Sequence, residues 1–371
     1  MTGSTEVMLV VGTRPQFIKS APIIKEILAH HTRIKLSIVH SGQHYDREMS
    51  SIFFHELRMP EPVVNLRAGS GSQAKQTALI MKRLEEQMLR SRPDIVMAPG
   101  DTNTTLGTAL AAAKLQIPVF HVEAGLRSGD LNMPEEVNRR LTDHCSSLLF
   151  APTSTALRNL RKEGLGKFAF LTGDTMVDAL RTALPFAERR KNALLNHLGV
   201  KEKMYALVTL HRPSNVDDDR LRRIFHGLRA VGRELKVVFP VHPRTRARLE
   251  KMHVELRSLQ KERLLLIPPQ GYIESLALLK SASCLLTDSG GMQKEAFLLH
   301  TPCVTLRSTT EWPETLVAGA NRLVTDPTTI SSELLRAQSM LASKPSRQSK
   351  DPFGNGHAAT KIANLIERYI N

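Results

Sequence analysis

The chain has 371 residues, of which 41% are hydrophobic and 23% charged, a globular composition with enough chain for two domains. Its 51 lysines and arginines against 36 aspartates and glutamates give a net charge of +15, so the protein attracts anions. Because no run of five basic residues occurs and aromatic residues are only 5%, this charge favours a small phosphorylated ligand over nucleic acid.

Cysteine usage and the distribution of apolar residues predict a cytoplasmic location. Cys145, Cys284 and Cys303 are odd in number and lack CxxC spacing, which is typical of reduced thiols. The first apolar run, VMLVVG, has no basic leader and no small-residue cleavage site, and no apolar stretch approaches the length of a membrane span. We therefore expect neither secretion nor a membrane partner.

Apolar, β-branched runs alternate with helical stretches along the chain. In order, the runs are VMLVVG, LSIVH, DIVMAPG, IPVFHV, FAFLTG, YALVTLH, KVVFPVH, LLLIPP, CLLTDSG and PCVTLR. This alternation predicts an α/β fold with parallel sheets and crossover helices. Ten strands are many for one sheet, so we predict two doubly wound, Rossmann-like sheets of about five strands each.

Two further stretches indicate how the domains are joined. The stretch GDTMVDALRTALPFAERRKNALLNHLG, within residues 172–200, predicts a helix and a linker at the domain boundary. The last stretch, HAATKIANLIERYIN, predicts a helix because Ile362, Leu365, Ile366 and Ile370 lie close to helical spacing.

Polar motifs follow most of the predicted strands. They are GTRPQFIK, PGDTNTTLG, HVEAGLR, TLHRPSN, VHPRTR and TDSGGMQKE. Ligands of open α/β sheets bind beyond the carboxyl ends of the strands, where these motifs lie. The sequence therefore predicts an active site in the cleft between the two domains.

The motif TDSGGMQKE predicts a diphosphate site. Ser289, Gly290 and Gly291 lie between a strand and a helix, where small residues let an anion approach the backbone N–H groups. Glu295, further along the same helix, could accept hydrogen bonds from both hydroxyls of a ribose. The alternative interpretation is an ordinary turn with an N-cap.

Other candidate ligand-binding residues also follow predicted strands. Arg14 and Lys19 in GTRPQFIK could supply cations from the first domain, and His242 and Gln270 follow strands of the second. GTRP matches neither the P-loop nor the GxGxxG fingerprint, so neither an ATPase nor an NAD enzyme is predicted.

Eight motifs together carry a family resemblance. In order they are GTRPQFIK, GDTNTTLG, HVEAGLRS, MPEEVNR, LHRPSNVD, VHPR, TDSGGMQKE and TTEWPE, and they resemble the non-hydrolysing UDP-N-acetylglucosamine 2-epimerases. The resemblance implies a GT-B-type pair of domains, namely residues 1–175 with a returning helix at 356–371, and a UDP-binding domain at 176–355. It also implies a homodimer that interconverts UDP-GlcNAc and UDP-ManNAc without a cofactor.

The resemblance assigns roles to particular residues. The family eliminates UDP to give 2-acetamidoglucal and then adds UDP back to the other face, which requires carboxylates that exchange protons. Asp101, Glu123 and Glu135 are the implied acids and bases, and His211 is the implied stabiliser of the departing diphosphate. Arg139 lies one helical turn after Glu135, where it could meet the nucleotide or pair with the acid.

The same region allows a second interpretation. His121 and Glu123 share one face of a strand and, with Asp143 and His144, could be metal ligands. No HExxH pattern supports this, and the family needs no catalytic metal, so we expect His121 to be packed or hydrogen-bonded. Glu136, which points elsewhere on its helix, is expected to be structural.

The preferred sugar and the reaction outcome stay open at this point. Trp312 of TTEWPE stands where the family commonly has Arg, and RPQFIK and GQHYDREM resemble relatives that act on UDP-2,3-diacetamido-glucuronate. The family's loop for an activating second UDP-GlcNAc is retained at Gln43 and His44, whereas Asp46 replaces a frequent Gln. A hydrolysing epimerase or a glycosyltransferase would use the same scaffold.

Overall fold

A computed structural model describes residues 4–43, 56–212, 215, 217–241, 243–251, 263–343 and 351–371. The chain forms two compact units, the first comprising Met1–Thr182 with Ser349–Asn371 and the second Ala183–Gln348. Within the described ranges, no helix is long and apolar enough to cross a membrane.

The first unit contains a seven-stranded sheet in which all pairings are parallel. Its strands are β1 (Thr5–Val11), β2 (Ile34–His40), β3 (Val64–Asn65), β4 (Ile95–Pro99), β5 (Val119–Val122), β6 (Leu148–Ala151) and β7 (Ala169–Leu171). The order is β3-β2-β1-β4-β5-β6-β7, so the winding of the chain reverses between β1 and β4. Such a reversal is where doubly wound sheets bind ligands.

Helices connect these strands. They are α1 (Arg14–His30), α2 (Gln73–Ser91), α3 (Asn103–Lys114), α4 (Pro134–Cys145) and α5 (Ser154–Lys162), with a short 3-10 turn at Gly166–Phe168. The next helix, α6 (Thr175–His197), continues through the point where the two units divide. The linker predicted in this stretch is therefore part of one helix of 23 residues, despite Pro185 in its interior.

The second unit contains a six-stranded parallel sheet in the order β10-β9-β8-β11-β12-β13. The strands are β8 (Tyr205–Thr209), β9 (Lys236–Pro240), β10 (Leu264–Ile267), β11 (Cys284–Thr287), β12 (Cys303–Thr305) and β13 (Asn321–Leu323). The helices are α7 (Asp218–Gly232), α8 (Pro243–Lys251), α9 (Tyr272–Ser281), α10 (Gly290–Leu298), α11 (Pro313–Val317) and α12 (Ile330–Ser343), with a 3-10 turn at Pro327–Thr329. Here the winding reverses between β8 and β11.

The predicted class, two parallel α/β sheets, is confirmed, and the sheets have seven and six strands where about five each were predicted. The sequence missed β3, β6 and β13, which have two, four and three residues. Each is shorter than the apolar runs of five to seven residues that marked the other strands. Pairing with a neighbouring strand, rather than local pattern, makes these segments extended.

The sheets are covered on both faces, which explains the continuous apolar runs in the sequence. Residues 7–11 of β1 are all fully or almost fully buried. In β8, Val208 packs in a cluster with Ile224, whereas its neighbour Leu207 packs in a different cluster with Leu278. Successive side chains of a strand point to opposite faces, so each sheet supports two cores.

The last helix, α13 (Ala358–Ile370), belongs to the first unit. Ile362 and Ile366 are fully buried, and the ring of Tyr369 contacts Phe120 of β5 edge-on at a centroid distance of 4.9 Å. The Asp178 carboxylate in α6 accepts hydrogen bonds from the first two N–H groups of α13, at 3.3 and 3.0 Å. A carboxylate in this position stabilises a helix N-terminus.

Candidate active site

In the first unit, Gln16 joins the loops that follow β1 and β4. Its side-chain oxygen accepts from the N–H groups of Gly12 and Thr13, at 2.9 and 3.1 Å. Its amide nitrogen donates to the carbonyl of Pro99 and to the hydroxyl of Thr105, at 2.9 and 3.1 Å. The side chain is buried, so these bonds form away from water and fix both loops at the switch point.

Asp101 follows β4 and has an unusual electrostatic environment. Burial raises the pKa of its carboxyl more than the nearby cations Arg139 and Lys19 lower it, and Glu123 and Glu135 raise it further. The Nε atom of Arg139 lies 3.5 Å from Asp101 Oδ2. A carboxyl whose pKa is shifted towards neutrality can both take and give a proton during catalysis.

Glu123 follows β5 in a strained backbone conformation. Its φ of +74° lies in the left-handed region that non-glycine residues rarely adopt. The N–H groups of Glu123 and Ala124 both donate to the carbonyl of Phe150, each at 3.1 Å, and hold this turn. The buried Glu123 carboxylate pairs with the ammonium of Lys19. Strain of this kind persists where the surroundings fix a functional side chain.

Helix α4 carries the remaining predicted residues of this unit. Glu135 lies half-buried in its first turn, and Arg139 Nε donates to the Glu135 backbone carbonyl at 3.0 Å. Glu136 is fully buried and accepts from the N–H and hydroxyl of Ser128, at 2.8 and 3.0 Å. Burial opposes its ionisation, yet these bonds and the Arg139 and Arg140 cations hold its pKa below the usual value. These contacts agree with the structural role predicted for Glu136, which stays a prediction.

His121 in β5 uses both ring nitrogens in hydrogen bonds. Nδ1 lies 2.6 Å from Asp143 Oδ1, and Nε2 lies 2.7 Å from the carbonyl oxygen of Gly100. His144 is exposed, and its ring bonds the Arg140 carbonyl. The expectation that His121 is hydrogen-bonded is confirmed. Among the residues for which the structure gives positions, no group of three or more His, Cys, Asp or Glu side chains could hold a metal ion.

In the second unit, His211 follows β8 and is oriented by Asp288. Its Nδ1 lies 2.9 Å from Asp288 Oδ1, and the backbone N–H groups of His211 and Arg212 donate to the same carboxylate. Asn215 Nδ2 adds a bond of 3.1 Å. Burial raises the pKa of Asp288, but these partners more than offset it and keep it below the usual value. Because a carboxylate only accepts, Nδ1 of His211 carries the hydrogen.

Ser289, Gly290 and Gly291 begin α10 at the end of β11. Ser289 is the N-cap, and its hydroxyl accepts from the Met292 N–H, so the N-cap of the alternative interpretation is present. A Cβ on Gly290 would lie 2.1 Å from Glu311 Oε1, whereas a Cβ on Gly291 would meet, among the residues that the structure describes, only Ser289 Oγ, at 4.0 Å. The space beside Gly291 leaves room for an anion at the helix N-terminus.

The other predicted ligand-binding residues lie at several strand ends. Glu295 is buried in α10, and Arg14 is the half-buried first residue of α1. Gln270 lies between β10 and α9, where its side-chain nitrogen donates to the Pro268 carbonyl at 2.8 Å. His242 lies outside the described residues.

Comparison with known proteins identifies the family. The family model described as UDP-N-acetylglucosamine 2-epimerase matches residues 26–367. The chain belongs to this family. The resemblance seen in the eight motifs is therefore confirmed, and the chain is an isomerase.

This epimerase is similar to several relatives along almost the whole chain. The UDP-N-acetylglucosamine 2-epimerase of Methanocaldococcus jannaschii is 44% identical over 364 residues, covering 96% of this chain and 98% of the relative. The UDP-2,3-diacetamido-2,3-dideoxy-D-glucuronate 2-epimerase of Pseudomonas aeruginosa is 39% identical over 369 residues, covering 98% and 99%. A crystal structure of the Methanocaldococcus jannaschii UDP-GlcNAc 2-epimerase with UDP-GlcNAc and UDP has a TM-score of 0.89 at 42% identity, covering 98% and 100%.

The epimerase also contains a buried charged group next to Gly290 that the sequence did not reveal. Arg307 and Glu311 form an ion pair of 2.8 Å, and both are almost fully buried. The ammonium of Lys294 lies 3.9 Å from the centroid of the Trp312 ring. An arginine at position 312 would face this cation, so the Lys294 environment favours the aromatic residue found here.

Sequence reasoning gave no role to Gln16 or Asp288 in the epimerase, and it considered Asp143 only as a possible metal ligand. Asp288 had a usable signal, because it is the acid that directly follows a fully buried strand and precedes the Ser-Gly-Gly turn. Gln16 had none, because its partner Pro99 lies 83 residues away in the chain. The sequence placed Asp143 near His121 only as a metal ligand, and it gave no signal for the hydrogen bond between them.

Proposed function

We propose that this epimerase interconverts UDP-N-acetylglucosamine and UDP-N-acetylmannosamine by elimination and re-addition of UDP. A carboxylate removes the C2 proton while the bond from C1 to the diphosphate oxygen breaks, which gives UDP and 2-acetamidoglucal. Re-addition forms the same C1–O bond and returns a proton to C2 on the opposite face. The observation that carries this proposal is Asp101, a carboxyl of raised pKa, near the ion-paired carboxylate of Glu123.

The acid–base roles are proposed for Asp101, Glu123 and Glu135 together. Two of these carboxylates lie near cations of different kinds, since Lys19 pairs with Glu123 and Arg139 lies beside Asp101. The sequence suggested that Lys19 supplies a cation to the nucleotide. We infer instead that Lys19 binds Glu123. Arg139 then balances the charge that Asp101 acquires when it loses its proton.

Nucleotide binding is proposed for the second unit, with Arg14 as an additional cation. Ser289, Gly290 and Gly291 would bind the diphosphate through the N-terminus of α10, and Glu295 would accept from the ribose hydroxyls. His211, held by Asp288, would donate to the departing diphosphate. His242 and Gln270 stay predicted contacts of the nucleotide.

We further propose a cytoplasmic homodimer, with no nucleic-acid or membrane partner. Cys284 and Cys303 are buried free thiols, and burial raises their pKa to about 11 and about 12, so both stay protonated and unreactive. Such thiols are typical of a reducing compartment. Size-exclusion chromatography with light scattering should give a mass of twice 41.3 kDa, and a mass of 41.3 kDa would contradict the dimer.

The test of the reaction is incubation with UDP-GlcNAc alone, followed by proton NMR of the sugar C1 and C2 positions. We expect UDP-ManNAc to accumulate to an equilibrium ratio with only trace free UDP. Stoichiometric UDP with free ManNAc would instead identify a hydrolysing epimerase. A parallel incubation with UDP-2,3-diacetamido-glucuronate tests the second substrate class, and turnover of that sugar alone would replace UDP-GlcNAc in the proposal.

A further inference from the structure

His121 lies at the centre of a buried hydrogen-bond network in the first unit. The residue is fully buried, and its ring bridges a carboxylate oxygen of Asp143 and the carbonyl oxygen of Gly100, at 2.6 and 2.7 Å. A carbonyl oxygen and an ionised carboxylate are both acceptors with no hydrogen to give. Both ring nitrogens must therefore donate, which makes the ring an imidazolium.

The charge of this imidazolium is balanced within the protein. Asp143 also accepts from the Gly125 N–H at 3.1 Å and pairs with Arg127 Nη1 at 2.8 Å. Arg127 in turn forms a two-point contact with Glu163, with bonds of 2.8 and 2.6 Å. Burial raises the pKa of Asp143, but His121 and Arg127 outweigh it and hold the carboxyl ionised. Two cations, His121 and Arg127, thus alternate with the anions Asp143 and Glu163, and each charge in this network has an opposite charge beside it.

The network ends at the two turns that carry the proposed acids and bases. Gly100, whose carbonyl accepts from His121, has a φ of +74° and directly precedes Asp101. Glu123 lies two residues after His121 and also has a φ of +74°. One ring therefore connects the backbone at the end of β4 with the backbone at the end of β5.

We propose that His121 is a positioning residue whose two ring nitrogens both donate, and that it thereby holds the backbone of Asp101 and Glu123 in the geometry needed for proton transfer at C2. Because both nitrogens donate to fixed acceptors, the ring is neither the base nor the acid of the reaction. The positioning role rests on the proposed function, whereas the charge state of the ring does not.

The charge state can be measured on the wild-type protein labelled with 15N-histidine. We expect both nitrogens of His121 to show the chemical shift of protonated nitrogen, each coupled to one slowly exchanging hydrogen, because each faces an acceptor. His121→Phe identifies the signals by their loss, and His144→Phe, an exposed histidine on α4, is the matched control. A spectrum with one unprotonated His121 nitrogen would overturn the proposal.

Kinetics test the positioning role. His121→Phe should lower kcat about 100-fold, the typical effect of a misplacement of about 1 Å, while KM and the Kd of UDP change less than about twofold. His144→Phe should match the wild type. A His121→Phe enzyme that folds and keeps its kcat would overturn the positioning role, and equal losses in kcat and UDP binding would indicate general damage instead. If the wild type does not epimerise any UDP-sugar, the proposed function fails while the NMR result still decides the charge state.

Discussion

Asp101 and Asp143 belong to the same unit, yet the structure shifts the pKa of their carboxyls in opposite directions. Burial disfavours the charged form of both, but Asp143 contacts His121 and Arg127, whereas Asp101 has Glu123 and Glu135 near it as well as cations. Asp143 is therefore held in its anionic form at neutral pH, and Asp101 is a carboxyl that can change its protonation. Sequence could nominate Asp101 from its motif, but it could not show this difference, which depends on residues distant in the chain.

The raised pKa of Asp101 predicts a stabilised but inactive variant. The unfolded pKa of an aspartate is about 3.9, and the folded pKa of Asp101 is higher. The Asp101 carboxyl therefore contributes its full stabilisation below the unfolded pKa, and this stabilisation is lost as the pH rises through the folded pKa. Asp101→Asn removes the charge and should raise Tm at pH 7 while abolishing epimerisation. Thermal unfolding and turnover assays at neutral pH check this, and a Tm below that of the wild type would contradict the pKa direction.

The lowered pKa of Asp143 predicts that removing its charge destabilises the protein at neutral pH. Its contribution to stability is present above the unfolded pKa and is lost as the pH falls through the lower folded pKa. Asp143→Asn would leave His121 and Arg127 without their shared anion, and breaking a buried pair costs about 3 to 5 kcal/mol. Chemical denaturation at neutral pH should show this loss. An Asp143→Asn protein as stable as the wild type would mean that the network carries little energy.

At the scale of secondary-structure elements, the two switch points are built in the same way. In each unit, one polar side chain joins the loops that follow the two central strands. Gln16 joins the loops after β1 and β4 in the first unit, and Asp288 joins the loops after β8 and β11 in the second. The sequence predicted these strand ends because the strands are long and apolar. It could not predict the edge strands β3 and β13, whose two and three residues are extended only through pairing with their neighbours.

The N-terminus of α10 provides a test at this scale, because its two glycines have different neighbours. Gly290→Ala must move the buried Glu311 carboxylate, whose other oxygen pairs with Arg307, so we expect a lower Tm. Gly291→Ala fits without a clash, and alanine is favoured over glycine in a helix by about 0.5 to 1 kcal/mol.

Gly291→Ala should therefore fold at least as well as the wild type but bind UDP about tenfold more weakly, a loss of about 1.4 kcal/mol, because its methyl group approaches the diphosphate. Isothermal titration calorimetry with UDP measures this, and binding of uridine alone is the control that should not change. Unchanged UDP affinity in Gly291→Ala would move the diphosphate away from α10.

At the scale of the whole molecule, the eight motifs were sufficient for the family because they occur in order across most of the chain. The division of the chain was harder to predict from sequence. The stretch expected to contain a linker forms the continuous helix α6. Residues Ser349–Asn371 group with the first unit, and here only the family resemblance, which assigned the helix at 356–371 to the first domain, offered a guide. Such groupings depend on packing between distant segments, which local patterns do not record.

The net charge of +15 and the proposed UDP site together predict ligand stabilisation. A ligand that binds only the folded protein stabilises it by about 2.7 kcal/mol at 100 times its Kd, so saturating UDP should raise Tm. The shift should shrink as salt is added, since a positive protein attracts the diphosphate partly through long-range charge. Thermal-shift titration checks this, and no shift at millimolar UDP would count against the site.

Elimination of UDP is the central claim, and the isotope at C2 of the product tests it most directly. The carboxylate that removes the C2 proton exchanges it with solvent before re-addition, so UDP-ManNAc formed in D2O should carry deuterium at C2. Asp101→Asn and Glu123→Gln should lose both epimerisation and exchange while still binding UDP, because neither residue is assigned to the nucleotide. Product that forms at the normal rate in D2O with only protium at C2 would contradict solvent-exchanging proton transfer and the elimination mechanism with it.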